Sequence, residues 1–140
     1  MKESQIQTLF SKQNTVYGCF ELKLCKGTSI RFDAVRPHQL QALLDVSSNK
    51  GLFHKINDMP IFSGDLSRFT NPKPFDCFYL KNIPAYIIVC FYIPRVQKTC
   101  YYLSPSSWQL LEITSPKKSI REEELKKYAY HILELKNKIT

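Results

Sequence analysis

Gly18-Cys19-Phe20-Glu21-Leu22-Lys23-Leu24 decides how the rest of the chain is read. It has the alternation of a strand. Val16, Gly18, Phe20, Leu22 and Leu24 fall on one side, and Tyr17, Cys19, Glu21, Lys23 and Cys25 on the other. Residues two apart on a strand lie about 6.6 Å apart on the same side, so Glu21 and Lys23 project together from an otherwise core-like segment. Burying an unpaired carboxylate or ammonium is costly, so the pair needs a reason. Two are open at this level: a cross-strand ion pair at a sheet edge, or a metal-dependent hydrolytic site. In the second, Glu21 is a ligand and Lys23 faces a phosphate.

On the N-terminal side, residues 2–13 carry Ile6, Leu9 and Phe10 on one helical stripe. Glu3 stands one turn before that stripe's Ile6 and Gln7; as a first-turn acid it also complements the helix dipole. After the strand, Lys26-Gly27-Thr28 makes a turn, and residues 29–32 read as a short extended piece. Arg36-Pro37-His38-Gln39 opens a second helix, proline suiting the first helical position, with Leu40, Leu43 and Leu44 facing inward. Gln39, one turn before Leu43, borders the buried stripe and can hydrogen-bond a site water or simply solvate. His38 reads as a surface group.

Leu52-Phe53-His54-Lys55-Ile56 is a further strand, and residues 61–74 read as a loop broken by Gly64, Pro72 and Pro74. Arg68 and Lys73 on that loop, with Lys26 and Arg36, are candidate phosphate contacts. Asp76 opens the apolar run Phe75–Leu80, where an aspartate must be capped, paired or bound to a cation. Residues 75–80, 85–93 and 98–103 follow at hairpin spacing and predict an antiparallel meander whose middle strand is covered on both faces. Residues 104–113 predict a short helix containing Trp108. Ser119-Ile120-Arg121-Glu122 has capping-box form, and a closing helix over about 119–138 is expected, with Leu125, Tyr128, Ala129, Ile132 and Ile139 as its apolar stripe.

The 140 residues make a single domain the expectation, and 44% hydrophobic with 13% aromatic content supports a packed core rather than disorder. A formal charge of +8 favours a polyanionic partner, nucleic acid before membrane. The five cysteines form no Cys-x-x-Cys pair. They read as reduced thiols of a cytosolic protein, with Cys77, Cys90 and Cys100 as small buried hydrophobes. The N-terminus is polar, so no signal peptide is expected. The longest apolar run, 83–93, spans about half a bilayer and contains Pro84. Taken in order, these elements predict an α+β fold, a central mixed sheet flanked by helices.

Phe20-Glu21-Leu22-Lys23, followed about fifteen residues later by His38-Gln39 at the head of a leucine-bearing helix, resembles the PD-(D/E)XK nuclease superfamily. Within it, the chain is similar to RecU-type and phage-encoded Holliday junction resolvases. Tyr101-Tyr102-Leu103 corresponds to the strand edge found in that group. The resemblance implies a restriction-endonuclease-like fold and Mg²⁺-dependent cleavage of branched DNA, with Mn²⁺ as substitute, by a homodimer. It implies Glu21 and Asp76 as metal ligands, with the Leu22 carbonyl a further donor. Lys23 would stabilise developing charge, Gln39 would position Lys23 or the water, and Glu3 would be an outer ligand. The motif order departs from the family's, because its aspartate normally precedes the Glu-x-Lys strand. Asp76 of Pro74-Phe75-Asp76 is the expected replacement; Asp65, Asp58 and Asp33 are the fallbacks. The same fold without turnover, a DNA-binding module, is the competing expectation.

Overall fold

The computed structural model describes residues 3–56, 74–95 and 97–137. Helix α1 (Glu3–Gln13) leads to strand β1 (Cys19–Cys25), then β2 (Ser29–Arg31), a single 3₁₀ turn (Phe32–Ala34) and α2 (Pro37–Ser47). Strands β3 (Leu52–Lys55), β4 (Cys77–Leu80), β5 (Ala85–Ile93) and β6 (Gln97–Leu103) follow. The chain closes with α3 (Pro105–Thr114), β7 (Ser119–Arg121), α4 (Glu122–Lys126) and β8 (His131–Glu134). The fold is α+β, and its centre is a mixed four-stranded sheet in the order β1-β5-β6-β8.

β1 and β5 are parallel, with Glu21 opposite Ile87 and Lys23 opposite Val89. A parallel pair needs a crossover, and α2 supplies it. The β5–β6 and β6–β8 pairs are antiparallel. Both faces of the sheet are covered, as the unbroken apolar sequence of β5 requires. On one face, Ile87, Val89 and Phe91 pack with Leu43 and Val46 of α2, Trp108 of α3 and the β2–β7 ribbon's Ile30 and Ile120. On the other, Ile88, Cys90, Cys100 and Tyr102 pack with Ile6 and Phe10 of α1 and with Leu22. The alternation read in residues 16–25 therefore holds: Phe20, Leu22 and Leu24 face α1, and Cys19 and Cys25 face α2.

Asn14 sets the approach to β1. Its Oδ1 accepts from the Val16 N–H at 2.9 Å and from the Tyr102 hydroxyl at 2.6 Å, joining the end of α1 to the sheet. At the far end of the chain, Gln13 exchanges two hydrogen bonds with the Lys136 backbone, at 2.7 and 2.9 Å, which fastens the C-terminal segment against α1.

Three sequence expectations are corrected. Residues 75–80 do not join the β5–β6 meander; β4 pairs with β3 as a separate two-stranded ribbon. The connection explains this, because Asn82 takes a positive φ of 55° and residues 82 and 83 donate to Ser48 O and Val46 O at 3.0 Å. Those bonds tie the turn to the end of α2 and launch β5 parallel to β1. Second, the helix expected over 119–138 is only Glu122–Lys126. Ser119–Arg121 instead pairs with β2, burying Ile120 opposite Ile30, and His131–Glu134 completes the sheet beside β6. A helix there would leave the β6 backbone groups unpaired along that edge. Tyr128 and Ile132, placed on the supposed apolar stripe, are exposed. Third, Cys77 is exposed, whereas Cys90 and Cys100 are fully buried as expected. No helix among the described residues is long and apolar enough to cross a membrane.

Candidate functional site

Glu21 and Lys23 lie on β1, an edge strand of the sheet among the described residues, where a side chain can be half-buried and still reachable. Lys23 Nζ is 3.1 Å from Glu21 Oε1, with the two side chains 18% and 27% exposed. The same oxygen accepts a hydrogen bond from Gln39 Nε2 at 2.9 Å. Gln39 is held in turn, because its Oε1 accepts the Arg36 N–H at 3.0 Å, one of the donors otherwise orphaned at the start of α2. One amide thus caps the crossover helix and orients the carboxylate on the strand. The dense sequence signal at 20–23 and at 36–39 meets in a single contact.

The ladder fixes a further donor. Cys19 gives its N–H to Pro84 O at 2.9 Å, so Cys19, Glu21, Lys23 and Cys25 turn their backbone groups toward β5. Phe20, Leu22 and Leu24 therefore turn theirs toward the opposite edge. The Leu22 carbonyl and the Glu21 carboxylate together offer hard oxygen donors of the type Mg²⁺ and Mn²⁺ accept, so the donor chemistry fits such an ion.

A cleft of about 360 Å³ adjoins this edge, lined by Gln7, Phe10, Ser11 and Asn14 of the N-terminal segment and by Phe20, Glu21 and Leu22 of β1. Gln7 and Ser11 are one helical turn apart, and Glu3 precedes Gln7 by another, but Glu3 is exposed, does not line the cleft, and starts a helix packed on the face of the sheet opposite the Glu21–Gln39 contact. Sequence reasoning singled out Glu3 and passed over Gln7, Ser11 and Asn14. The one-turn spacing of Gln7 and Ser11 was the available signal.

Asp76 stands just before β4, at the outer end of the β3–β4 ribbon, with its carbonyl accepting the Ile56 N–H at 2.8 Å. The partners that meet Glu21 directly are Lys23 and Gln39. Among the described residues, no three His, Cys, Asp or Glu side chains group as metal ligands. Asp33 is engaged elsewhere: Arg31 grips its carboxylate at 2.9 and 3.1 Å and holds it below the ordinary aspartate range. Asp58, Asp65, Arg68 and Lys73 lie outside the described residues. Of the remaining phosphate-contact candidates, Lys26 is exposed on the turn after β1, and Arg36 is exposed at the head of α2, next to the Gln39 contact.

Comparison with family models, with curated proteins and with solved structures finds no match to this chain.

Proposed function

We propose that the chain is a Mg²⁺-dependent endonuclease that hydrolyses phosphodiester bonds in branched DNA, acting as a homodimer. The observation that carries this reading is the Gln39–Glu21–Lys23 contact on an edge strand, an acid, an amine and an amide brought together on the α2 face of the sheet. The net charge of +8 suits a polyanionic substrate.

In this reading Glu21 and the Leu22 carbonyl hold the ion, with Asp76 supplying the second carboxylate. The bound ion supplies Lewis-acid polarisation of the phosphate and a lowered pKa for an attacking water. Lys23, whose Nζ lies beside the Glu21 carboxylate, would donate hydrogen bonds to the phosphoryl oxygens as their charge develops. Gln39 keeps the carboxylate in one rotamer, a positioning role. Glu3, exposed at the start of α1, would be an outer ligand acting through water. Arg36 and Lys26 attract flanking phosphates, as do Arg68 and Lys73. Two copies related by a twofold axis would place one such site on each of two strands.

The second reading, a DNA-binding module without turnover, draws on the same contact, since Lys23 and Gln39 already compensate the Glu21 charge without a cation. A cleavage panel separates the two. Four-way junction, flap, linear duplex and single strand are incubated with Mg²⁺ or Mn²⁺ and wild type, Glu21→Ala or Asp76→Ala. The endonuclease reading expects junction cleavage by wild type and none by either variant, with DNA binding kept. Binding without cleavage in either metal establishes the module, and cleavage indifferent to branching removes the junction specificity.

A further inference from the structure

We propose that the aromatic column Phe20–Tyr86–Tyr130 is a stacking platform for an unpaired nucleobase. The nucleic acid this chain prefers would then present a single-stranded or unstacked base at Tyr130. The proposal rests on the reading of the partner as nucleic acid and narrows it.

Phe20 and Tyr86 are register partners on β1 and β5, their rings 5.9 Å apart and 19° from parallel. Tyr130, at the approach to β8, lays its ring on Tyr86 at 5.3 Å and 27°. Its N–H donates to Tyr102 O at 2.7 Å, so the backbone that carries the ring is fixed to the sheet. The inner rings are enclosed by edge-to-face neighbours: Phe10 against Phe20 at 75°, and Tyr102 against Phe20 at 90° and Tyr86 at 71°. Tyr130 differs. Among the described residues Tyr86 is its one stacked ring neighbour, and it is 69% exposed. Tyr17, immediately before the Gly18 that opens this end of β1, is 73% exposed.

An aromatic ring gains most when both faces are covered, so a column ending in an open, backbone-anchored ring has room for one more flat partner. Nucleobases all present such a π-face, and stacking on tyrosine tolerates any sequence. The surroundings favour a nucleic acid over another flat ligand. Phe20, the inner end of the column, lines the cleft between α1 and β1, on the face of the sheet opposite the Glu21–Gln39 contact. Lys126 ends α4 and Lys127, paired with Glu124 at 3.4 Å, follows it; both are exposed on the way to Tyr130 in a chain of net charge +8, which suits the phosphates flanking a stacked base. Bases within continuous duplex already stack on each other and do not offer a free face.

The test is equilibrium binding without divalent metal, so that cleavage plays no part, using a labelled short oligothymidylate and a blunt duplex of equal length at one moderate salt concentration. Tyr130→Ala should weaken oligothymidylate binding about tenfold and leave duplex binding within about twofold. Tyr130→Phe keeps the ring and should bind as wild type. Tyr130→Leu keeps an apolar contact on Tyr86 without a π-face and should bind like the alanine variant. Equal loss for both nucleic acids, or unchanged oligothymidylate binding by the alanine and leucine variants, overturns the platform while leaving the nucleic-acid reading intact. Wild type that retains neither ligand removes the nucleic-acid reading and the platform with it.

Discussion

Replacing Gln39 by leucine tests the contact on which the site is built. The substitution keeps approximate side-chain volume on α2 but removes the donor 2.9 Å from Glu21 and the acceptor 3.0 Å from the Arg36 N–H. A half-buried hydrogen bond to a charged group contributes about 1.5–3 kcal/mol, and loss of a helix-start partner about 1 kcal/mol. Lys23 remains 3.1 Å from the same Glu21 oxygen, so the carboxylate is not left alone and the lower part of that range applies. We therefore expect a stability loss of about 2 kcal/mol, read as a lower urea midpoint with an unchanged slope. The functional effect should be larger than this loss suggests. A partner that orients a metal ligand typically governs about 10–100-fold in metal affinity or activity, so the Mg²⁺ concentration for half-maximal cleavage should rise by that factor. Saturating Mg²⁺ should restore much of the rate. A variant with wild-type stability and wild-type metal dependence would refute the role given to Gln39.

Two further outcomes are expected. Gly51→Ala should destabilise by at least about 2 kcal/mol, because φ is +79° there and an added Cβ would stand 2.8 Å from the Tyr79 hydroxyl and 2.9 Å from Leu80 O; an unmoved urea midpoint would show that the attachment of the Asp76-bearing ribbon is looser than drawn. Burial pushes the phenols of Tyr101 and Tyr102 upward, Tyr101 also through its hydrogen bond to Glu122. A folded-state pKa above the unfolded one means that this stability is fully present below the unfolded tyrosine value of 10.0 and is lost as pH rises beyond it. Stability measured from pH 8 upward should therefore fall above about pH 10, and less steeply in Tyr101→Phe; identical alkaline profiles would contradict the assignment.

What the sequence made legible follows from how local each signal is. Alternation in residues 16–25 identified β1 and both its faces, because a strand with two different packing partners writes them on alternate positions. Pro37 marked the start of α2 and set Gln39 at the margin of its buried stripe, but the contact with Glu21 across 18 residues of chain was not legible, because it depends on how α2 crosses back over β1. The C-terminal third misled for a physical reason. Residues 119–126 carry helix-favouring acids and a capping-box pattern, while the forces that make β7 and β8 strands lie elsewhere, in the exposed backbone of β2 and β6 awaiting a partner. Pairing of β4 was likewise invisible locally, since the bonds from residues 82 and 83 to the end of α2 decide it. For the site, residue types and spacing pointed to Glu21 and Lys23, and the family resemblance added Gln39. The cleft formed with Gln7, Ser11 and Asn14 required the tertiary packing of α1 against β1.

The most direct measurement is anomalous diffraction from crystals grown with Mn²⁺. The account predicts a peak within coordination reach of a Glu21 carboxylate oxygen, held also by the Leu22 carbonyl and Asp76. A well-ordered crystal in Mn²⁺ whose Glu21 stays bound only to Lys23 and Gln39, with no peak beside it, would contradict the metal-dependent hydrolase.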